Sequence, residues 1–311
     1  MKNKILILVV LISSLSLVDV SAQQDAQYTQ YMYNTISVNP AYAGSRDGLS
    51  ALLLYRTQWV GLEGAPDTGT FSIHSPLGGE DGKVGLGLSV TNDRIGPTQE
   101  TYVDIDFSYT INTSDEGRLS LGLKGGGHLL DIKYSELSQY NNGDALLQTD
   151  IDNKFSPNIG AGIYYRNADT WYLGLSVPNL LETTHFDESS LSQAKERMNA
   201  YLIGGYVFDL NTDLKLKPAF LVKAVTGAPL SADLTLNALF KEKFTFGLAY
   251  RWDAAVSGLF GYQVSDSFLL GLAYDREVTD LGQTKFDAGS FEVFLRFEPR
   301  DISKILSPRF F

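Results

Sequence analysis

Short segments in which apolar residues alternate with small or polar ones recur along this chain, about a dozen times, mostly separated by compact turns. Val84-Gly85-Leu86-Gly87-Leu88-Ser89-Val90, Leu119-Ser120-Leu121-Gly122-Leu123-Lys124 and Phe244-Thr245-Phe246-Gly247-Leu248-Ala249-Tyr250-Arg251 are three of them. A period of two gives each strand one oily face and one tight or wet face. Many consecutive strands of this kind behind a secretory leader predict an all-β fold, a transmembrane antiparallel β-barrel in an outer membrane. The barrel must close, because an open strand edge has no hydrogen-bonding partner in lipid. A secreted soluble sandwich or propeller is the competing fold, but it needs an interior large enough to hide every one of those apolar faces.

The leader is residues 1–22. Lys2 and Lys4 supply its positive start, Ile5 to Leu17 its apolar core, and Val20-Ser21-Ala22 a small-residue cleavage site before Gln23. The apolar run falls short of the roughly 20 residues of a comfortable helical span. The chain has no cysteine, which removes both a lipid anchor at the cleavage point and a disulfide framework. Taking Lys2, Lys4 and Asp19 from 25 basic and 36 acidic residues leaves 23 and 35, a net charge of −12 for the mature chain. Nucleic acid is a poor partner for such a surface. No later run of 18 uninterrupted apolar residues predicts a helical span. Mean hydropathy is close to zero, as in barrels whose lipid-facing and lumen-facing residues average out. Seventeen Tyr, 17 Phe and three Trp suffice for interfacial girdles, and 29 Gly suit turns and close packing in the lumen.

The alternation predicts about 14 strands, with 12–16 compatible if a weak hairpin such as Thr68–His74 is misread. They run over Leu49–Trp59, Thr68–His74, Lys83–Thr91, Thr101–Ile111, Gly117–His128, Phe155–Arg166, Thr170–Val177, Asn199–Asp209, Asp213–Val225, Ser231–Phe240, Lys243–Trp252, Ala254–Val264, Ser267–Asp275 and Ser290–Glu298. Most approach the roughly 9–11 residues that cross a bilayer at a tilt. The even-to-odd connections are all short, whereas the odd-to-even ones include Leu129–Lys154, Pro178–Met198 and Arg276–Gly289. That asymmetry matches short periplasmic turns and longer extracellular loops. Within strands, Phe291, Val293, Leu295 and Phe297 should face lipid and Glu292, Arg296 and Glu298 the lumen. Likewise Val103, Ile105, Phe107 and Tyr109 should face out and Asp104 and Asp106 in. Inward Lys124, Arg166, Lys223 and Arg251 against Asp104, Asp106 and Glu292 are compatible with a lumen closed by paired charges and equally with a wet channel.

Catalytic constellations are not apparent. His74, His128 and His185 fall in separate strands or loops without metal-ligand spacing. Gly125-Gly126-Gly127 lacks the lysine, hydroxyl and helix of a phosphate loop and reads as a closely packed or bent strand. Asp144, Asp150 and Asp152 do not match a calcium-loop spacing and read as solvated charge. No enzyme activity, cofactor or metal is expected.

The least barrel-like part follows the leader. Gln27-Tyr28-Thr29-Gln30-Tyr31-Met32-Tyr33-Asn34, then Val38-Asn39-Pro40-Ala41-Tyr42-Ala43-Gly44, resembles the opening of the PorP/SprF family, outer-membrane proteins of the Bacteroidetes type IX secretion and gliding machinery. The family pattern Q-x-x-Q-Y-M-x-N followed by N-P-A-x-A-G is met at every fixed position. The resemblance continues through Tyr55-Arg56-Thr57-Gln58-Trp59, Gly271-Leu272-Ala273-Tyr274-Asp275 and Gly289-Ser290-Phe291-Glu292 to Ser307-Pro308-Arg309-Phe310-Phe311. The family commonly has a cysteine where Ser307 stands, so any role of that cysteine does not carry over.

The resemblance implies a non-enzymatic barrel of the outer membrane that assists export or retention of surface proteins, adhesins among them, carrying a C-terminal sorting domain. It also implies contact with the periplasmic ring of lipoprotein and partner subunits. The expected organisation is residues 1–22 as leader, 23–48 as a plug or docking segment, 49–298 as barrel and 299–311 as periplasmic tail. Tyr28, Gln30, Tyr31, Met32, Asn34, Asn39, Pro40 and Tyr42 are the candidate partner-binding residues of the first segment, and Arg309, Phe310 and Phe311 those of the tail. Aromatic side chains give large contact area at low entropic cost. Filling the lumen and docking a partner are compatible roles for the N-terminal segment. The alternative function is a small-solute or lipid transport barrel, similar to porins or fatty-acid transporters, which needs a continuous path along the axis.

Overall fold

Alternation becomes strand through most of the described residues. The computed structural model describes residues 27–46, 48–78, 82–136, 150–181, 198–279, 282, 287–299 and 310. Among them are β1 (Ser50–Thr57), β2 (Asp67–Leu77), β3 (Val84–Ile95), β4 (Thr98–Asn112), β5 (Gly117–Ile132), β6 (Ile151–Asn167) and β7 (Trp171–Asn179). Next come β8 (Asn199–Tyr206), β9 (Phe208–Asn211), β10 (Leu214–Val225) and β11 (Ser231–Phe240). The last four are β12 (Phe244–Arg251), β13 (Ala255–Gln263), β14 (Phe268–Glu277) and β15 (Ser290–Phe297). Every strand pairs antiparallel with its chain neighbour, except that β8 and β9 both pair with β10 as two pieces of one stave. β1 pairs with β15, so the sheet closes into a barrel of 14 staves.

The assignment of faces follows the pleat. Val103, Ile105, Phe107 and Tyr109 are exposed on the outer wall of β4, while Asp106 is fully buried. On β15, Phe291, Val293 and Leu295 face out and Glu292 and Arg296 are buried. Two parts of the wall differ from the expected strands. The stretch from Asn199 to Asp209 is broken at Val207, whose side chain turns inward and whose N–H donates to the Thr170 carbonyl at 2.6 Å. Strands β5 and β6 extend past their expected ends, because ladder pairing continues from His128 to Ile132 opposite Ile151 through a register shift between Leu130 and Ile132. That irregularity breaks the period of two on which the sequence reading rests.

The connections sort by end. Residues 78–83, 113–116, 168–170, 212–213, 241–243 and 264–267 join strands at one end. The three longest, 133–150, 180–198 and 278–289, all leave from the other. The first end is the short-turn mouth of the barrel and the second its long-loop mouth.

Residues 27–46 lie inside the barrel as a strap, with 3-10 turns at Tyr31–Tyr33 and Pro40–Tyr42 around a single helical turn at Thr35–Val38. Asn39 starts the last turn: its Oδ1 accepts from the Ala41 N–H at 3.0 Å, and Pro40 occupies the first position, where a missing N–H costs nothing. Tyr31, Met32, Ile36, Ala41, Tyr42 and Ala43 join Tyr164, Tyr172 and Ile203 of the wall in one apolar cluster. Two glycines of the wall let the strap approach. A Cβ on Gly122 would overlap the Ala41 backbone, and one on Gly85 the Ala43 carbonyl.

Two outcomes are expected from this packing. Leu123→Arg, on the open outer wall opposite Phe107, should destabilise the barrel by about 2–4 kcal/mol, measured by urea unfolding in lipid vesicles. Gly122→Val should cost about 1–3 kcal/mol by overpacking and should expose the strap to added protease, while the barrel strands remain protected.

Candidate functional site

The strap is held at both ends by charged groups. Near its start, Thr29 N–H and Gln30 N–H donate to the two carboxylate oxygens of Glu292, each at 2.9 Å. Arg56, fully buried on β1, lies 3.2 Å from Glu292 Oε2 and 2.6 Å from Asp275 Oδ2. Its Nη1 also donates to Thr29 Oγ1 at 2.8 Å, and that hydroxyl donates to Asp275 Oδ2 at 2.6 Å. One arginine thus balances two buried carboxylates, and strap donors bond both oxygens of Glu292 and one oxygen of Asp275. Near the strap's end, Arg46 makes a two-pronged pair with Glu298, Nε to Oε1 and Nη2 to Oε2, both at 2.8 Å. Such fork geometry is the strong form of a carboxylate contact.

Between these latches the strap spends its polar groups on the wall. Tyr28 and Thr70 hydroxyls are 2.7 Å apart, and those of Tyr31 and Thr235 are 3.2 Å apart. Asn39 Nδ2 donates to the Ile163 carbonyl at 3.0 Å. Ser176 and Ser108 donate to the Val38 and Ala43 carbonyls, each at 2.6 Å, and Gly44 N–H donates to His74 Nδ1 at 3.2 Å. Tyr42 meets His74 and Tyr164 edge-on, both with ring centroids 5.4 Å apart.

All eight candidate residues of the N-terminal segment, Tyr28, Gln30, Tyr31, Met32, Asn34, Asn39, Pro40 and Tyr42, are therefore brought together inside the lumen and buried. Of the tail, Phe310 is buried too: its ring lies 4.6 Å from Lys217 Nζ, which donates to the Phe310 carbonyl. Arg309 and Phe311 lie outside the described residues. Arg56, Asp275, Arg46 and Asp233 were missed as site residues. Alternation along β1 could have found Arg56, which continues the inward series of Leu52 and Leu54.

The inward charges pair more widely than expected. Lys124 is 3.1 Å from Asp104 and 3.9 Å from Asp106, whereas Arg251 pairs with Asp233 at 2.7 Å. His74 is committed to the strap, and His128 lies against the Tyr102 ring at 5.0 Å; His185 lies outside the described residues. Gly125, Gly126 and Gly127 sit within β5. At the long-loop mouth Asp150 accepts from the Ser135 N–H and hydroxyl, both at 2.9 Å, which hold its carboxyl below the usual range. Lys133 pairs with Asp152. No group of three potential metal ligands occurs among the described residues; Asp144 lies outside them. A concavity of about 820 Å3 belongs to the outer wall, lined chiefly by lipid-facing residues such as Leu236, Phe246, Leu248, Leu272 and Phe291.

Comparison with known proteins identifies fold and family separately. The CymD monoaromatic hydrocarbon channel superposes with a TM-score of 0.51 at 11% identity, covering 85% of this chain and 91% of that one. The Acinetobacter baumannii outer membrane protein Omp33 gives 0.48 at 8% identity, with coverages of 81% and 99%. The Ralstonia pickettii toluene transporter TbuX gives 0.48 at 10% identity, with coverages of 86% and 93%. At such identities the likeness is one of outer-membrane barrel fold alone. No curated protein matches the sequence. The family described as "Type IX secretion system membrane protein PorP/SprF" matches residues 20–297. With the strap at its start and the closed barrel behind it, the chain belongs to the PorP/SprF family of type IX secretion system membrane proteins of the outer membrane.

Proposed function

We propose that this barrel is a plugged, non-enzymatic component of the type IX secretion and gliding machinery. It assists export or surface attachment of proteins with a C-terminal sorting domain and docks to the periplasmic ring. The observation that carries this reading is the strap, which occupies the lumen from mouth to mouth and is latched by Glu292 at one end and Glu298 at the other. A barrel filled with its own chain offers partners its two mouths, and a protein-handling role uses those mouths without a solute path. In this reading Tyr28, Gln30, Tyr31, Met32, Asn34, Asn39, Pro40 and Tyr42 serve the partner through the shape they give the plug. The tail at Arg309, Phe310 and Phe311 supplies the periplasmic contact, with Phe310 as its anchor in the lumen.

The alternative, a small-solute or lipid transport barrel, makes the opposite demand on the axis. In planar bilayers the intact protein should show no large steady conductance, and Glu292→Ala with Arg46→Ala should raise it by releasing both ends of the strap. A large steady conductance of the unaltered protein would overturn the plugged reading. In cells, deleting residues 27–46 should abolish surface display of a sorting-domain protein while the barrel still shows heat-modifiable migration. Undiminished display would sink the role given to the strap. Arg56→Met should lower barrel stability by about 3–5 kcal/mol, because two buried carboxylates lose their cation. Adding Glu292→Gln should recover part of that loss in the same urea titration.

A further inference from the structure

The strap has a direction. Tyr28 bonds to Thr70, near the start of β2, and Thr29 and Gln30 bond to Glu292, near the start of β15. Thr29 also reaches Asp275, close to the end of β14. These strand ends all lie at the long-loop mouth. Gln27 and Tyr28 border a small space shared with Lys223, Asp233 and Arg251, which belong to that same mouth. At the other extreme, Gly44 meets His74 near the end of β2, and Arg46 grips Glu298 just past the end of β15. From there β1 starts at Ser50. The chain therefore enters the described structure at the long-loop mouth, descends the lumen, and begins its first barrel strand at the short-turn mouth.

In outer-membrane barrels the long loops are extracellular and the short turns periplasmic. With cleavage expected after Ala22, four residues precede Gln27. Fully extended they span at most about 14 Å, against a hydrocarbon thickness of roughly 30 Å. They are too short to return to the periplasm, and the lumen is already occupied by the strap. We propose that the mature amino terminus is displayed at the cell surface. The long-loop mouth, where Gln27 opens the strap, then meets the exported surface protein, and the periplasmic ring is left to the opposite face. The choice of partner rests on the function proposed above; the threading rests on the hydrogen bonds of the strap, on the lengths of the connections and on the expected cleavage site.

The absence of cysteine makes the test direct. Asp25→Cys, Glu63→Cys in the β1–β2 connection and Asp115→Cys in the β4–β5 turn are each treated on intact cells with a membrane-impermeant polyethylene-glycol maleimide. Asp25→Cys and Glu63→Cys should be modified on intact cells, and Asp115→Cys only after the outer membrane is permeabilised. Modification of Asp25→Cys only after permeabilisation, or in neither condition, would overturn the threading. If the cysteine variant does not assemble, an epitope inserted between Gln24 and Asp25 should bind antibody on intact cells, and binding only after permeabilisation would equally overturn the threading. Once Asp25→Cys carries its label, surface display of the sorting-domain protein should fall at least several-fold. Undiminished display would overturn the partner assignment and leave the threading standing.

Discussion

A barrel's interior widens with its strand number. Eight strands leave just enough room for inward side chains to fill it, and larger rings leave space that something else must occupy. Fourteen staves place this chain beyond self-filling, and the rest of the structure answers that surplus. The strap supplies the missing volume, and its polar backbone then requires partners in a region poor in water. Serines on β4 and β7, His74 and the carboxylate of Glu292 are those partners, and glycines on β3 and β5 leave the room for the approach.

The two sides of the wall meet the strap with different chemistry. On the side of β3 to β7, small residues and hydroxyls let the strap backbone come within hydrogen-bonding range, as Ser108 and Ser176 show, and the Ile163 carbonyl takes the Asn39 side chain. On the side of β10 to β14, Leu221, Leu239, Ala249, Leu259 and Ala273 continue the apolar cluster of Tyr31 and Met32. Hydrogen bonding thus predominates on the first side and burial on the second, with Tyr31 to Thr235 as a polar contact on the second and Tyr164 and Tyr172 as apolar ones on the first. The polar side fixes the register of the strap along the axis, and the apolar side contributes non-directional stabilisation.

Much of this architecture was legible from period-two alternation, because lipid penalises any charge on the wrong face of a strand. Phe291, Val293 and Leu295 outside with Glu292 inside is the clearest instance. The break at Val207 was not legible, since a strand interrupted by one inward residue keeps a plausible composition on both sides. The strap announced itself through motif and aromatic content, yet its course could not be read. Its contacts join residues hundreds of positions apart, Thr29 to Glu292 and Arg46 to Glu298, and no local pattern encodes them. Arg56 stood in the sequence only as part of the Tyr55-Arg56-Thr57-Gln58-Trp59 motif. Only the meeting of β1 with β15 reveals it as the cation for two carboxylates.

That meeting bears on how the barrel is made. Arg56 and Glu292 are direct cross-strand partners where the first strand joins the last, the junction that turns a sheet into a cylinder. Glu292 also accepts the amides of Thr29 and Gln30, so the groups that zip the cylinder shut are the groups that grip the strap. Seam and filling share one carboxylate: Glu292 meets its arginine neighbour across the β1–β15 junction and holds the strap amides on its two oxygens. The ionic contact at the junction thus ties the seam of the sheet to the segment that it encloses, so that loosening either one weakens the hold on the other.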